Sequence, residues 1–302
     1  MTMIKAADLT RQAFLRDPAE VIDRLLGDGG IAQVKLPIIG KVWVVARHDL
    51  AARILKDSEV FTIRRDGKVV GMQWWMPGIF RVLAANMLTF DEPDHSRLRA
   101  IVDEAFRRRA VLEMTPQIRA IADRLADGLF EQGEPADFVA RFARQLPLAV
   151  ICELLGLPDG DRARFSAWAQ TLSEVTGIVS FLRMIPALGA MRRYLEQHIE
   201  AARASPASGL IGELVRAERE GARISSDEIV AMVFLLLVAG HETTTHLISG
   251  ALHLLLVEPA RRDWLRAEPN RLALAIEEFL RFVSPVNIPS RVSWRTTSSW
   301  AA

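Results

Sequence analysis

A long apolar segment with a polar insert, FLLLVAGHETTTHLISGALHLLL at residues 234–256, limits the possible folds of this chain more than any other feature. Apolar residues around most of the circumference predict a helix that packs inside a protein. Its centre nevertheless carries a glycine, a glutamate, three threonines and two histidines. The longest unbroken apolar run, residues 229–239, is too short to cross a bilayer. We therefore expect a core helix with a specialised centre, and no membrane span.

The histidines of this insert raise the question of a zinc site. A zinc-protease helix needs His-Glu-x-x-His, which places both imidazoles on one face. His241 and His246 are five positions apart and point about 140° away from each other. His246 and His253 share a face, but two histidines without a third ligand are more often hydrogen-bonded within a core. We therefore predict no zinc site.

The acid and hydroxyl groups of the insert leave two interpretations open. Threonine can bond back to a carbonyl of the preceding turn, which loosens or bends a helix. Gly240 would let a flat group approach the backbone. Glu242 beside Thr243 would then form a short proton relay at that gap. The alternative is a helix kink with packed threonines and no chemistry.

A second motif, TFDEPDHSRLRAIVDEAF at residues 89–106, predicts a helix with Asp91 as its N-cap and Pro93 in its first turn. Four residues lie on one stripe by their spacing: His95, Arg99, Val102 and Phe106. Three others are predicted to point elsewhere: Arg97, Asp103 and Arg107. Basic groups on a buried stripe need an anion, so the stripe predicts a surface for a carboxylate-bearing ligand. The alternative is a surface edge, because arginine can keep its charge in water.

A third motif, LALAIEEFLRFVSPV at residues 272–286, predicts an amphipathic helix. Its apolar stripe comprises Leu272, Ile276, Phe279, Leu280 and Val283. Glu277 and Glu278 precede Arg281 by four and three positions, which by itself indicates an ordinary helix ion pair.

Most of the remaining sequence also has a helical pattern. Apolar residues recur with helical spacing in these segments: 94–108, 115–133, 137–158, 161–175, 187–204, 209–221 and 227–240. The clearest strand signal is AQVKLPIIGKVWVVAR at residues 32–47, where β-branched runs flank Gly40 and predict a hairpin. The predicted fold class is mainly α with a small β region.

Charge and cysteine content narrow the class of protein. The formal net charge is +1, which argues against nucleic acid or an anionic membrane as a partner. A single cysteine, Cys152, excludes a disulfide framework. The N-terminal residues show no apolar leader. We therefore expect a soluble, cytoplasmic protein.

In this order, the three motifs resemble those of the soluble bacterial cytochromes P-450, the haem-thiolate monooxygenases. The resemblance extends from about residue 10 to residue 292. It implies that His95 and Arg99 bind the haem propionates, and that Arg291, in a strand-like IPSRV segment, adds a further propionate contact. It also implies that Ala239 and Gly240 mark the place where the helix opens for oxygen.

The same resemblance assigns the remaining motif residues. Glu242 and Thr243 correspond to the pair that delivers protons to bound dioxygen. Glu278 and Arg281 correspond to the structural Glu-x-x-Arg motif of the family. Cys152 falls on a packing helix far from the haem. The implied cofactor is haem, and the implied partners are a small organic substrate, O2 and an electron donor of ferredoxin or flavodoxin type.

The sequence departs from the family at its C-terminal end. The family holds its iron with a thiolate in a Phe-x-x-Gly-x-x-x-Cys-x-Gly segment, which does not occur here. Thiolate ligation favours O–O cleavage. We therefore expect residues 1–292 to form a P-450-like domain that lacks its C-terminal quarter, with no metal ligand, and residues 293–302 to be a tail foreign to the family.

The tail has the character of a frameshift product. If residues 294–302 are written in GC-rich codons and read from the third base, they translate as Ala-Asp-Asp-Val-Glu-Leu-Gly-Gly, which resembles the family's continuation; only the tryptophan codons are forced. We expect the shifted frame to stay open past codon 302 and to encode the cysteine segment. Sequencing the gene tests this, and an early stop in that frame would contradict it.

Two functions from different classes follow. In the first, the chain is a haem-dependent monooxygenase that inserts one oxygen atom from O2 into a small organic substrate. In the second, it is a catalytically silent fragment or a haemless module that binds partners. The Glu242–Thr243 pair favours descent from an active enzyme, whereas the absent thiolate favours silence of this chain.

Overall fold

The structure is a computed structural model that describes residues 19–36, 40–65, 68–69, 76–108, 111–130, 135–173, 178–205, 208–286 and 292–293. It divides into two compact units, Met1–Trp74 with Ser290–Ala302, and Trp75–Pro289.

The described part of the first unit contains two helices and several short strands. Its elements are α1 (Ala19–Gly27), β1 (Ile31–Leu36), β2 (Gly40–Val45), α2 (His48–Lys56), β3 (Phe61–Thr62), β4 (Arg64–Arg65), β5 (Lys68–Val69) and β6 (Val292–Ser293). Strands β1 and β2 pair antiparallel, with Ile31 opposite Val45 and Leu36 opposite Gly40. The predicted hairpin is therefore confirmed. Its inner face and α1 form a small core of four buried side chains: Val21, Leu25, Ala32 and Val34.

Strand β6 brings the far end of the sequence into this first unit. Val292 pairs with Thr62, and Ser293 pairs with Phe61, in antiparallel register. The strand character expected around Val292 is thus present. Ser293, the first residue of the expected tail, belongs to the same strand.

The second unit is helical. Its α-helices are α3 (Gly78–Leu83), α4 (Asp94–Arg108), α5 (Thr115–Phe130), α6 (Gln145–Leu155), α7 (Arg162–Ser173), α8 (Ile178–Ala204), α9 (Gly209–Arg219), α10 (Ser226–Val257), α11 (Pro259–Ala267) and α12 (Leu272–Val283). The mainly α fold class is confirmed.

Three boundaries differ from the prediction. Helix α4 begins at Asp94, after a cis Glu92–Pro93 peptide bond, so Pro93 precedes the helix. Residues Val139–Ala143 form a π-helical turn before α6, where one continuous helix was expected. Helix α8 begins well before the predicted start and contains Pro186, a residue that usually ends a helix because it has no N–H donor.

The core of the second unit is built around α10. This helix packs against α3, α6, α8, α9 and α12. Its buried side chains lie in the first two thirds of its length: Ile229, Val230, Ala231, Met232, Val233, Leu237, His241 and Thr245. Among the described helices, α10 is the one that is long and apolar enough to cross a membrane, a property that core helices share, and 44% of its apolar window is buried.

Candidate active site

The N-terminus of α10 is held by a capping box. The Ser225 hydroxyl accepts a hydrogen bond from the Glu228 N–H at 3.3 Å, and the Ser225 N–H donates to the Glu228 carboxylate at 2.7 Å. Such reciprocal bonds satisfy donors that a helix start otherwise leaves unpaired. From this cap the helix runs unbroken to Val257, so the polar insert lies in a continuous helix.

Two threonines of the insert bond back to the preceding turn. The Thr243 hydroxyl donates to the Ala239 carbonyl at 2.5 Å, and the Thr245 hydroxyl donates to the His241 carbonyl at 2.8 Å. Because each hydroxyl proton is used in this way, the oxygen of Thr243 can still act only as a hydrogen-bond acceptor, through its two lone pairs. Glu242, the neighbouring acid, is half-buried.

Gly240 faces another helix. A Cβ added at Gly240 would lie 3.4 Å from Cδ1 of Ile151 in α6. The missing side chain therefore serves close packing between α10 and α6, and the gap for a flat ligand that we expected from Gly240 is occupied by an aliphatic side chain. The helix also remains unbroken at Ala239 and Gly240, so a role of these residues in oxygen binding stays a prediction.

His241 is the buried titratable group of the insert. Its side chain is 4% exposed, and neither ring nitrogen makes a hydrogen bond of normal geometry. Burial lowers the pKa of His241 below its ordinary value, an effect that the Arg144 backbone carbonyl and the Glu242 charge only partly offset. His246, by contrast, is exposed. The two imidazoles therefore lie in different environments, and among the described residues no cluster of His, Cys, Asp or Glu could hold a metal ion.

The burial of His241 predicts a specific pH dependence of folding. Below pH 6.5, the unperturbed value, the unfolded chain takes up a proton that the folded chain resists, so the free energy of unfolding should fall as the pH decreases. His241→Leu should reduce this slope in urea unfolding curves recorded between pH 8 and pH 5. The same change at exposed His253 controls for the loss of one imidazole. An identical slope in wild-type and His241→Leu proteins would contradict the prediction.

The structure corrects the predicted stripe of α4. The buried residues of this helix are Leu98, Val102 and Ala105. Arg99 is 55% exposed in its side chain, and its Nε donates to Asp103 at 3.1 Å. The expectation that Asp103 points away from Arg99 is therefore wrong, because residues four positions apart on a helix are neighbours.

His95 is half-buried and is tied to α10 through Met87. Its Nδ1 donates to the Met87 carbonyl at 2.8 Å, and the Met87 N–H donates to Sδ of Met232 at 3.3 Å. Since a carbonyl can only accept, Nδ1 carries a proton, and a second hydrogen bond donated by Nε2 would require the imidazolium form. Met232 is ten residues before Glu242, or about 15 Å along the helix axis.

Arg97, which was predicted to point away from the functional stripe, is more buried than Arg99, with 27% of its side chain exposed against 55%. Its guanidinium donates to Glu228 at 2.5 Å and to Asp94 at 2.9 Å, and it also contacts the Arg223 carbonyl. The network joins α4 to the capping box of α10. The Ser225-x-x-Glu228 pattern was the available sequence signal for half of this network.

The Glu278–Arg281 pair of α12 forms on the surface. Arg281 donates two hydrogen bonds to the Glu278 carboxylate, at 2.6 Å and 2.7 Å. These bonds hold the pKa of Glu278 below its ordinary value. The predicted apolar stripe of α12 is only partly buried, because Leu272, Ile276 and Leu280 are exposed.

Two candidates remain. Arg291 falls outside the described residues. Cys152 is completely buried in the core on α6. A thiol in this position is part of the packing between helices and has no route to a bound ligand.

The fold and motifs define a class of helical protein with a polar insert at the centre of its longest helix, and comparison with known proteins identifies that class. Residues 40–279 match the family described as Cytochrome P450. The chain therefore belongs to the cytochrome P450 family.

Individual relatives show how far this similarity extends. A cytochrome P450 of Bacillus subtilis (strain 168) is 33% identical over 313 residues, which cover 100% of this chain and 72% of that protein. The vitamin D(3) 25-hydroxylase of Pseudonocardia autotrophica is 35% identical, over 93% of this chain and 68% of its own length. The crystal structure of a myxobacterial cytochrome P450, CYP267B1, in complex with myristic acid matches with a TM-score of 0.79 and 34% identity, covering 91% of this chain and 69% of that one. About 30% of each relative thus has no counterpart here.

Proposed function

We propose that this chain is the larger part of a haem-dependent monooxygenase that inserts one oxygen atom from O2 into a small organic substrate. The observation that carries the proposal is the Glu242–Thr243 pair at the centre of α10, with the Thr243 hydroxyl bonded to the Ala239 carbonyl at 2.5 Å. An acid and a hydroxyl in mid-helix have little structural value, because hydroxyls compete for helix carbonyls. They do suit proton delivery.

The residues of this chain fit the edge of a haem but not its iron. Arg99 is an exposed guanidinium that already binds one carboxylate, that of Asp103, so a propionate could replace Asp103 with the same hydrogen bonds. His95 could donate from Nε2 to a second propionate as an imidazolium. The iron requires a thiolate, and the sole cysteine is enclosed in the core. No catalytic step through haem therefore follows from this chain alone.

The residues of this chain would contribute proton transfer to the reaction and would position the haem. Haem, when bound, supplies the dioxygen chemistry. Glu242 would exchange protons with solvent. The Thr243 hydroxyl would take up one proton on its oxygen while releasing its own, so its hydrogen bond to the Ala239 carbonyl would open during this transfer. Ala239 and Gly240 would form the wall beside the reacting group, and Arg291 would add a propionate contact. Glu278 and Arg281 would support the fold around the site.

Our proposals for the domain bounds, the electron donor and the location of the enzyme rest on the resemblance to the family. We assign residues 1–292 to a P-450-like domain and residues 293–302 to a tail that a frameshift would explain. The complete enzyme would work in the cytoplasm with a ferredoxin or flavodoxin-type electron donor. Two of the relatives named above suggest a substrate class through their own names: one is a vitamin D(3) 25-hydroxylase, and one is a structure in complex with myristic acid. Both of these small molecules consist mainly of hydrocarbon.

A second candidate, a catalytically silent fragment or haemless partner-binding module, is favoured by the burial of Cys152. Reduction of the haem-treated chain under carbon monoxide separates the two. We expect no thiolate-type absorption band from the 302-residue chain and a clear band from a version extended by the family's cysteine segment. A thiolate-type band from the unextended chain would show that another sulfur reaches the iron, and no band from the extended version would favour the module.

Removal of both proposed propionate ligands should weaken haem binding strongly. In the extended version, His95→Ala with Arg99→Ala removes two hydrogen bonds to charged groups, each worth about 1.5 kcal/mol, so haem affinity should fall about 100-fold. Haem titration followed at the Soret band measures this. The matched control is His253→Ala with Arg266→Ala, two exposed positions. Equal haem affinity of the test and control variants would show that His95 and Arg99 do not bind the haem propionates.

A further inference from the structure

The connection between α3 and α4, residues 84–93, contains a buried amide that the proposed chemistry does not use. Asn86 is 5% exposed, and a polar side chain enclosed to this extent needs hydrogen-bond partners. Its Nδ2 donates to the Leu83 carbonyl at 2.8 Å, and its Oδ1 accepts from the Leu88 N–H at 3.0 Å. The amide therefore binds the last residue of α3 on one side and the connection itself on the other.

The bond from Leu88 to Asn86 fixes the orientation of one peptide plane. The Leu88 N–H and the Met87 carbonyl belong to the same peptide unit, and they point in opposite directions because that unit is planar and trans. With the N–H held by Asn86, the Met87 carbonyl has to point away from Asn86. This carbonyl is the group that accepts the hydrogen bond from Nδ1 of His95 at 2.8 Å. The Asn86 side chain thus determines where His95 finds its acceptor.

The peptide units on both sides of this plane are held by other bonds. The Met87 N–H donates to Sδ of Met232 in α10 at 3.3 Å, and the Thr89 N–H donates to the Asn86 carbonyl at 3.1 Å. Neither bond involves the peptide unit between Met87 and Leu88. They place the connection against α10, and they leave the rotation of that unit to the Asn86 side chain.

The Met87 carbonyl selects one form of the His95 imidazole. Because a carbonyl can only accept, neutral His95 carries its proton on Nδ1, whereas free histidine favours the form with the proton on Nε2. The hydrogen bond at Nδ1 also fixes the direction of the ring and leaves Nε2 for a ligand. When His95 takes up a second proton, Nε2 becomes a donor that can bind a carboxylate.

We propose that Asn86 is a positioning residue for His95. Its amide aims the Met87 carbonyl, so that His95 keeps a proton on Nδ1 and presents Nε2 to the ligand. The use of Nε2 for a haem propionate rests on the function proposed above, whereas the tautomer and orientation of His95 do not depend on it. Asn86 acts through the backbone of Met87 and Leu88 and has no need to touch the ligand.

Nitrogen and carbon NMR of the 302-residue chain with labelled histidine tests the proposal at about pH 9, where imidazoles are neutral. A His95→Gln spectrum identifies the His95 signals among those of the six histidines. In the wild type, His95 should show the Nδ1–H tautomer. Asn86→Ala removes the acceptor of the Leu88 N–H and should shift His95 towards the Nε2–H tautomer. Asn86→Ser keeps an oxygen for this N–H, as in a serine turn, and should restore the Nδ1–H form.

Gln145→Ala is the matched control for Asn86→Ala. The Gln145 side chain is half-buried, and its amide likewise donates to a backbone carbonyl, that of Ala140 at 3.1 Å. Its removal should lower the urea concentration at which the chain unfolds and leave the tautomer of His95 unchanged. A loss of stability alone is therefore separated from a loss of positioning.

Two results would overturn the proposal directly: a wild-type His95 with its proton on Nε2, or a folded Asn86→Ala chain that keeps the Nδ1–H form. If Asn86→Ala does not fold, Asn86→Ser decides, because a folded serine variant with the Nε2–H form would also overturn the proposal. In the extended version, Asn86→Ala should reduce haem affinity by up to about 10-fold, the effect of one hydrogen bond to a charged group. A shifted tautomer with unchanged haem affinity would support the role of Asn86 and count against His95 as a propionate ligand.

Discussion

Replacing Gly156 by alanine should destabilise the second unit by about 3–5 kcal/mol, combining left-handed strain with a backbone clash. Gly156 caps the C-terminus of α6 with a φ of +79°, a left-handed conformation that favours glycine. An added Cβ would lie far inside van der Waals contact of the Ser208 carbonyl oxygen. Gly209, with a φ of +87°, faces it, and its own Cβ would lie 2.5 Å from the Gly156 Cα. The end of α6 and the start of α9 can therefore approach this closely only because both contacting residues are glycine.

Urea unfolding of Gly156→Ala measures this cost, and Gly128→Ala is the control. Gly128 is inside α5 and an added Cβ there meets nothing within 4 Å, so alanine should be neutral or stabilise the helix by up to about 1 kcal/mol. If Gly156→Ala unfolds at the same urea concentration as the wild type, the close contact between α6 and α9 does not exist in solution.

Arg97→Ala should lower the free energy of unfolding by about 2 kcal/mol. This is less than the loss expected for a fully buried ion pair, because the network is partly exposed to solvent. The side chain of Arg97 is 27% exposed and that of Glu228 is 13% exposed, so removal of the guanidinium leaves a largely enclosed carboxylate. Burial alone would raise the pKa of Glu228, but the hydrogen bonds from Arg97 and Ser225 outweigh this effect and hold the pKa below its ordinary value.

The pH dependence of this loss has a definite sign. A lowered carboxyl pKa stabilises the folded chain above the unperturbed value of 4.5, and this contribution disappears as the pH falls and Glu228 is protonated. The difference between the wild type and Arg97→Ala should therefore be complete at neutral pH and shrink in acid.

Arg99→Ala is the matched control for Arg97→Ala, because it removes the same side chain from the same helix. Its ion pair with Asp103 is exposed on both sides, so the expected cost is below about 0.5 kcal/mol. Equal losses for the two variants would mean that the link between α4 and α10 contributes nothing beyond an ordinary surface pair.

The contrast between Arg97 and Arg99 shows which property of the candidate site the sequence could not predict, namely how far each arginine is buried. Both arginines fall on one helix whose existence the apolar spacing predicts well. Spacing places Arg99 near the same stripe as Val102, but it does not say how far the packed surface extends, and the neighbour that encloses Arg97 is 131 positions away. The difference between a structural and an exposed arginine is therefore a property of the assembled helices.

The sequence by itself determined the local elements and the family. The hairpin, most of the helices and the polar insert of α10 follow from periodicity, turn residues and motif order, which depend on neighbours a few positions apart. Only the tertiary structure decided that Gly240 packs against Ile151, that His241 is enclosed without a hydrogen-bond partner of normal geometry, and that half of the apolar face of α12 is left exposed. These outcomes depend on which distant helix meets each face, and a pattern along one helix predicts that a face is apolar without specifying its partner.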